Sequence, residues 1–330
     1  MKTQMSNKFT YPKFYKSLEK KNLNANYSVY DDSRDTIKSL VQGMGACNEK
    51  YDFEEQYIMQ YPMPLEKSVA IARTIVKQEF GNSLLYKFDE LNYTDKVKFY
   101  NGFSEYLCDY YDHGNGFCCS PNTKLEKQFL YAPVIDEIDD VISIMHEVCH
   151  FAICNESTKT GELAYELLAE LIPLYSEFLV LNYFQKQIPN STSYYETVFE
   201  RYNAVSDYYE ALKDVDYRLD EIPYTIRNFE ELQYDLALLC ASKLYYEYQQ
   251  DPDTVRLKID YFCNSLRYED FNILMKILDM PVRIQKTRIY FQTGGLEELL
   301  YYYQRVLEEI YDDYQNALEF EKSLVKNIKK

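Results

Sequence analysis

The sequence predicts a mainly α-helical protein with a small β-sheet at its edge. Three observations carry that expectation. Leu, Tyr, Glu and Lys recur at helical spacing over long stretches; only 9 of the 330 residues are glycine and 10 proline; and the clearest strand pattern is confined to one short segment before residue 135. At 39.4 kDa with 46% apolar residues, the chain has ample material for a buried core. Residues 31–330 are therefore read as a single domain, preceded by a polar N-terminal arm over residues 1–30. No fixed-period repeat is evident, which excludes a solenoid.

Taken in order, Asp31-Asp32-Ser33 can cap a first helix running towards Gly43 or Gly45, and Asp52 to Glu55 opens another that Tyr61-Pro62 interrupts. Pro64 starts an amphipathic helix from Leu65 to Phe80, ended by Gly81-Asn82, and Thr94 starts the next towards Tyr111. Gly114, Gly116 and Pro121 make Asp112 to Thr123 a loop or short hairpin. Gln128 to Val134 reads as a short strand, too brief and proline-limited for a central position. Asp136, Asp139 and Asp140 supply capping charge to a helix from Val141 to Cys154, whose apolar positions predict deep burial.

A polar loop follows, and then a helical pattern from Glu162 to about Gln187 that Pro173 should kink or divide. Further helices are expected around Tyr194 to Leu212, Tyr224 to Gln249, Pro252 to Leu266, Tyr268 to Leu278 and Leu296 to about Asn327.

The formal net charge of −17 argues against a nucleic-acid partner, because a phosphate-binding surface needs a basic patch. The eight cysteines form no C-x-x-C pair, so neither a zinc ribbon nor a thioredoxin-type motif is present. With no apolar leader after Met1 and no apolar stretch of ~18 residues, no membrane partner is expected and the localisation is read as cytoplasmic. Most of the 36 tyrosines are expected to pack amphipathic faces rather than to line a site. The oligomeric state is left open.

Two of the three histidines fall in His146-Glu147-Val148-Cys149-His150, an H-E-x-x-H sequence. On a helix, residues i and i+4 share a face, so both imidazoles can reach one zinc while Glu147 lies beside the attacking water. Catalytic zinc takes three protein ligands. Glu162, Glu166, Glu170 and Glu177 lie downstream, and Glu170 leaves room for a loop and a returning helix. It is read as the third ligand to one Zn2+ per chain, with Glu177, two turns further along the same face, holding an imidazole N–H. In such a site Glu147 is the general base and returns the proton to the leaving amine, giving peptide-bond hydrolysis. Cys149 points away from the imidazole pair by helical phase and is read as packed apolar volume. His113 is read as a surface or loop-capping residue.

Gly116-Phe117-Cys118-Cys119, the extended Gln128 to Val134, Asp139-Asp140-Val141 and His146 to His150 occur in an order that resembles the M3 family of zinc metallopeptidases, in particular its oligoendopeptidase F branch. Ala169-Glu170-Leu171-Ile172-Pro173-Leu174-Tyr175-Ser176-Glu177 resembles the family block whose first glutamate binds zinc, with the spacing of the two glutamates preserved. Glu221-Ile222-Pro223-Tyr224, continuing to Tyr234, resembles a third block. The resemblance runs from about Tyr30, and no counterpart of the family's large N-terminal helical region is expected.

The resemblance implies a mainly α gluzincin-type catalytic domain with a small edge sheet beside the motif helix. It implies Tyr224 as a catalytic donor to the oxyanion, standing where the family has histidine, and Tyr234 as a substrate-binding residue. The extended segment near Gly116 to Val134, beginning with Gly116 and Phe117, is read as pairing with the backbone of short peptide substrates by strand addition. Cys149 stands where the family has glycine, and Phe151 where it has alanine. The expected activity is that of a zinc metalloendopeptidase. The alternatives are a peptide-binding or regulatory relative with weak or no turnover, and a zinc amidohydrolase acting on a non-peptide substrate.

Overall fold

The computed structural model describes residues 27–28, 33–48, 51, 63–81, 84–86, 88–89, 97–101, 117–119, 129–134, 139–154, 165–187, 226–266, 268–285 and 288–328. The strands are β1 (Tyr27–Ser28), β2 (Val97–Asn101), β3 (Phe117–Cys119), β4 (Phe129–Val134), β5 (Val282–Gln285) and β6 (Arg288–Gln292). The helices are α1 (Ser33–Asn48), α2 (Leu65–Glu79), α3 (Asp139–Cys154), α4 (Tyr165–Gln187), α5 (Ile226–Gln250), α6 (Pro252–Ser265), α7 (Phe271–Ile277) and α8 (Gly295–Ile328). The fold is mainly α, as the sequence predicts.

The centre is α4. Every residue from Leu171 to Leu181 is buried, because apolar positions run all round the helix and neighbours cover each side. It packs between α3 and α5; α3 is backed by α2, and α5 by α6 and α8. By length and composition Leu167–Gln187 would suffice to cross a membrane, so the expectation of no such apolar stretch was wrong. The helix is nonetheless 83% buried over its apolar window, as a core helix is.

Local chemistry explains several boundaries. Pro64 precedes α2, and Gly81, at φ 75°, follows its last turn. Asp251 caps α6 by accepting from the Thr254 amide at 3.2 Å, with Pro252 in the first turn, and Asp270 caps α7 through the Ile273 amide at 3.1 Å. Contrary to expectation, α1 passes through Gly43 and Gly45 without stopping. A Cβ at Gly43 would lie 2.5 Å from Leu300 Cδ1, so this glycine admits α8 to close contact instead of ending the helix.

Three further expectations are corrected. The helix expected from Thr94 is contradicted at Val97-Lys98-Phe99-Tyr100-Asn101, which form strand β2 and pair in parallel with β4. The β4 segment is central, not at the edge, in the sheet order β2-β4-β3. Its proline is tolerated because β3 pairs only with Phe129 to Tyr131, so Pro133 lies past the end of the antiparallel ladder. Of the two effects expected of Pro173, a kink or a division, the division does not occur: α4 runs from Tyr165 to Gln187 as one helix. The antiparallel β5–β6 pair, joined by β1, had no counterpart in the sequence reading. The helices expected around residues 52–61 and 194–212 lie outside the described residues.

The β2-β4-β3 sheet rests against α3 through β4 and β3. This contact sets the sheet beside the helix that carries the motif.

Candidate metal centre

The face of α3 that meets the core carries Val141, Ile142, Met145, Val148 and Cys149, all buried. His146 and His150 project from a half-buried face one turn apart, and Glu147, one position on from His146, is itself buried. Opposite them, α4 presents Glu170 and, two turns along, Glu177.

The four groups interlock. The Nε2 atoms of His146 and His150 lie 2.9 Å apart. Glu170 reaches both, with Oε2 3.4 Å from His146 Nε2 and Oε1 3.4 Å from His150 Nε2. His146 Nδ1 donates to Glu177 Oε1 at 2.7 Å, which leaves its Nε2 facing the cluster. Two expectations concerned geometry, that Glu170 would meet both imidazoles and that Glu177 would take an imidazole N–H; the side chains stand in those places.

Burial opposes charge on His146, but the carboxylates of Glu170 and Glu177 outweigh it and push the imidazole up to about 9. Glu170, despite its own burial, is held well below the usual carboxylate range by His150 and His146. The cluster thus favours a positive charge in its midst.

The donor set suits a divalent metal. His146, His150 and Glu170 each offer one ligand atom, all within 4.8 Å of one another, and among the described residues they are the group that does so. Glu170 Oε2 is buried without a hydrogen-bond partner, an expense that coordination would relieve. Tetrahedral zinc with bonds of about 2.0–2.2 Å sets its ligand atoms roughly 3.3–3.6 Å apart. Each carboxylate–imidazole separation falls in this range for its own oxygen, Oε2 towards His146 and Oε1 towards His150, and the imidazole pair needs to open by a few tenths of an ångström.

Cys149 is fully buried, and burial pushes its thiol up to about 12, so at neutral pH it is no thiolate ligand. This agrees with its reading as packed volume. Ser176, which the sequence reading passed over, is fully buried on α4 and donates to the Pro173 carbonyl at 2.6 Å. The signal available was its position immediately before Glu177. Tyr234 sits on α5 with 37% of its surface exposed. Phe117 contributes its backbone to β3. Gly116, His113 and Tyr224 lie outside the described residues.

Comparison of folds places this arrangement among known structures. A structure assigned to oligoendopeptidase F, from crystals grown by microfluidic seeding, matches 86% of this chain at 15% identity with a TM-score of 0.54. The fold is shared with oligoendopeptidase F. PZ peptidase A, solved with an inhibitor, matches 85% of the chain at 13% identity and TM-score 0.50. An oligoendopeptidase F from Bacillus anthracis covers 93% of the chain at 14% identity and TM-score 0.49. In each case the chain spans 58% of the length of the matched structure. No family model matches the sequence, and no curated protein matches it. The architecture is accordingly this shared fold, mainly α, with a small sheet beside the motif helix.

Proposed function

We propose that this chain is a zinc-dependent metallopeptidase domain that hydrolyses internal bonds of short peptides. The observation that carries the reading is the convergence of His146, His150 and Glu170 from two buried helices, with Glu177 fixing the His146 tautomer. The oligoendopeptidase F-like fold and the H-E-x-x-H order support it.

In this reading His146, His150 and Glu170 hold one zinc. When bound, zinc supplies the Lewis acidity that activates water and polarises a carbonyl. Glu147 accepts the proton of the attacking water and delivers it to the departing amine. Its burial on α3 favours that role, because a carboxylate out of bulk water is a stronger partner for a proton in transit. Glu177 keeps the His146 ring from rotating and leaves its Nε2 free to ligate. Tyr224 and Tyr234 are proposed as phenol donors to the negative charge developing on the carbonyl oxygen. β3, an edge strand of its sheet, is proposed to receive the peptide backbone beginning at Gly116 and Phe117.

The test pairs metal analysis with a mixed-peptide cleavage assay. Purified protein should carry about one zinc per chain, the stoichiometry of a single catalytic site. Wild type should cleave, and Glu147→Gln should retain zinc but lose cleavage. Zinc retention with no cleavage by wild type would instead favour a peptide-binding role, and cleavage limited to non-peptide amides would favour the amidohydrolase.

A further inference from the structure

Charge is distributed very unevenly between the metal centre and the chain at large. The whole sequence sets 36 basic residues against 53 acidic ones, whereas the 42 residues from Asp136 to Glu177 hold ten carboxylates and one lysine, Lys159. Six of the ten lie on the two helices that form the centre: Asp139, Asp140 and Glu147 on α3, and Glu166, Glu170 and Glu177 on α4. The one basic residue on those helices is Lys186, in the last turn of α4. It stands 16 residues beyond Glu170, roughly 24 Å along the axis at 1.5 Å per residue. A single zinc brings two positive charges to six carboxylates, so the loaded centre stays negative. Salt screens surface charges beyond about 8–10 Å, and it screens buried ones such as Asp140 and Glu147 less, so a ligand at the metal is governed by these near groups.

The sheet beside α3 does not offset this excess. Strands β3 and β4 have no charged residue, and Lys98 lies on β2, at the opposite edge from β3. Pairing along β3 would read the peptide backbone, which is the same for every sequence. Discrimination by charge therefore falls to α3 and α4. Four of their six carboxylates belong to acceptors already assigned or to the buried Asp140; Asp139 and Glu166 remain. Asp139 stands two turns before His146 and Glu166 one turn before Glu170, so each occupies a helix position in line with a ligand.

We propose, on the metallopeptidase reading above, that the peptides this site accepts are cationic, with lysine or arginine side chains flanking the bond at the metal, and that Asp139 and Glu166 are specificity-determining residues. A neutral or acidic peptide can make the same backbone pairing but leaves the negative charge of the two helices uncompensated.

The experiment uses internally quenched peptides of one length and one cleaved bond, with flanking residues varied from acidic through neutral to tribasic, and the zinc-loaded full chain. Tribasic peptides should exceed neutral ones about tenfold in kcat/KM at low salt, through KM, and the advantage should shrink to about twofold near 0.5 M salt. Uncleavable labelled versions should bind in the same order by fluorescence anisotropy. Asp139→Asn with Glu166→Gln should cut the tribasic-to-neutral ratio about fourfold, roughly twofold per charge. Asp312→Asn with Glu319→Gln removes as many charges from exposed positions on α8, which backs α5 on the far side of α4, and should leave the ratio within about 1.5-fold. If the Asp139 change prevents folding, Glu166→Gln alone should give its own loss of about twofold. Acidic or neutral peptides cleaved as well as tribasic ones would overturn the inference. So would an equal loss of selectivity from the α8 pair, which would assign the preference to net charge. Ordered binding with no cleavage of any peptide would sink the turnover reading and keep the ligand class; neither binding nor cleavage would sink both.

Discussion

Among the described residues, the charges gathered around the buried Lys243 and those at the α3–α4 contact are neutralised in opposite ways. Around Lys243, a buried lysine on α5, the carboxylates of Glu247 and Glu298 approach, the latter at 3.8 Å, and the Tyr302 ring lies 5.5 Å away. Lys258 adds a second cation, 2.9 Å from Glu247 and 2.8 Å from Asp279, which adopts φ 55°. There the protein supplies its own positive charge from lysine side chains. At the α3–α4 interface the groups that meet Glu170 and Glu177 are imidazoles, whose charge depends on a proton. The difference separates a structural ion network from a site with the chemistry to take up a cation.

The sharpest way to break the comparison is to remove a ligand. His150→Ala or Glu170→Ala should abolish stoichiometric zinc, measured by metal analysis after gel filtration. Zinc in excess should raise the melting temperature of wild type, since a ligand at about 1,000 times its dissociation constant adds roughly 4 kcal/mol to stability. It should leave the ligand variants unmoved. A normal zinc content in Glu170→Ala would place the third ligand elsewhere.

Glu177→Gln comes next in size. It keeps the volume and an acceptor oxygen but loses the charge that holds Nδ1–H of His146. Zinc affinity should drop about 10- to 100-fold, the usual cost of losing a ligand's outer partner. Competition against a chromogenic chelator would measure it. An unchanged affinity would make the 2.7 Å contact incidental to metal binding.

What was legible in the sequence follows the same division between local and distant causes. The facing of His146 and His150 is set by helical periodicity alone, and the two glutamates share a face because they are seven residues apart. The places of Pro133 and Gly43 depend on partners distant in the chain. Pro133 is acceptable in a central strand only because β3 ends before it, and Gly43 continues a helix only because Leu300 needs the room. Val97 to Asn101 is too short for alternation to be told from helical spacing, and pairing with β4 decided it. The β5–β6 pair escaped notice because Gln285-Lys286-Thr287-Arg288 carries no Asn-Gly or Asp-Gly turn signal.

The pH dependence sharpens the contrast further. His146 is raised to about 9 in the folded metal-free protein, above its ordinary unfolded value of about 6.5. Its contribution to stability is therefore complete below about 6.5 and is lost as the pH rises through about 9. Denaturant unfolding of the metal-free protein at several pH values should show that decline. Zinc must displace the same proton, so below about pH 9 its apparent affinity should rise roughly tenfold per pH unit. Calorimetry in buffers of different ionisation enthalpy should find about one proton released per zinc bound. An affinity flat from pH 6 to 8 would contradict the protonated resting cluster.

The smallest expected effect tests the other half of the comparison. Lys243→Met removes a fixed cation while keeping the unbranched stem, leaving Glu247 with Lys258 and Glu298 on the half-exposed side. Stability should fall by about 1–3 kcal/mol in denaturant unfolding, less than for a fully orphaned buried charge because a second lysine remains. Zinc affinity should stay within about twofold, because sites with no shared partner behave independently. If the metal were instead lost, the two clusters would be coupled through α5 and α4, and the charge around Lys243 would belong to the same functional unit as the histidines.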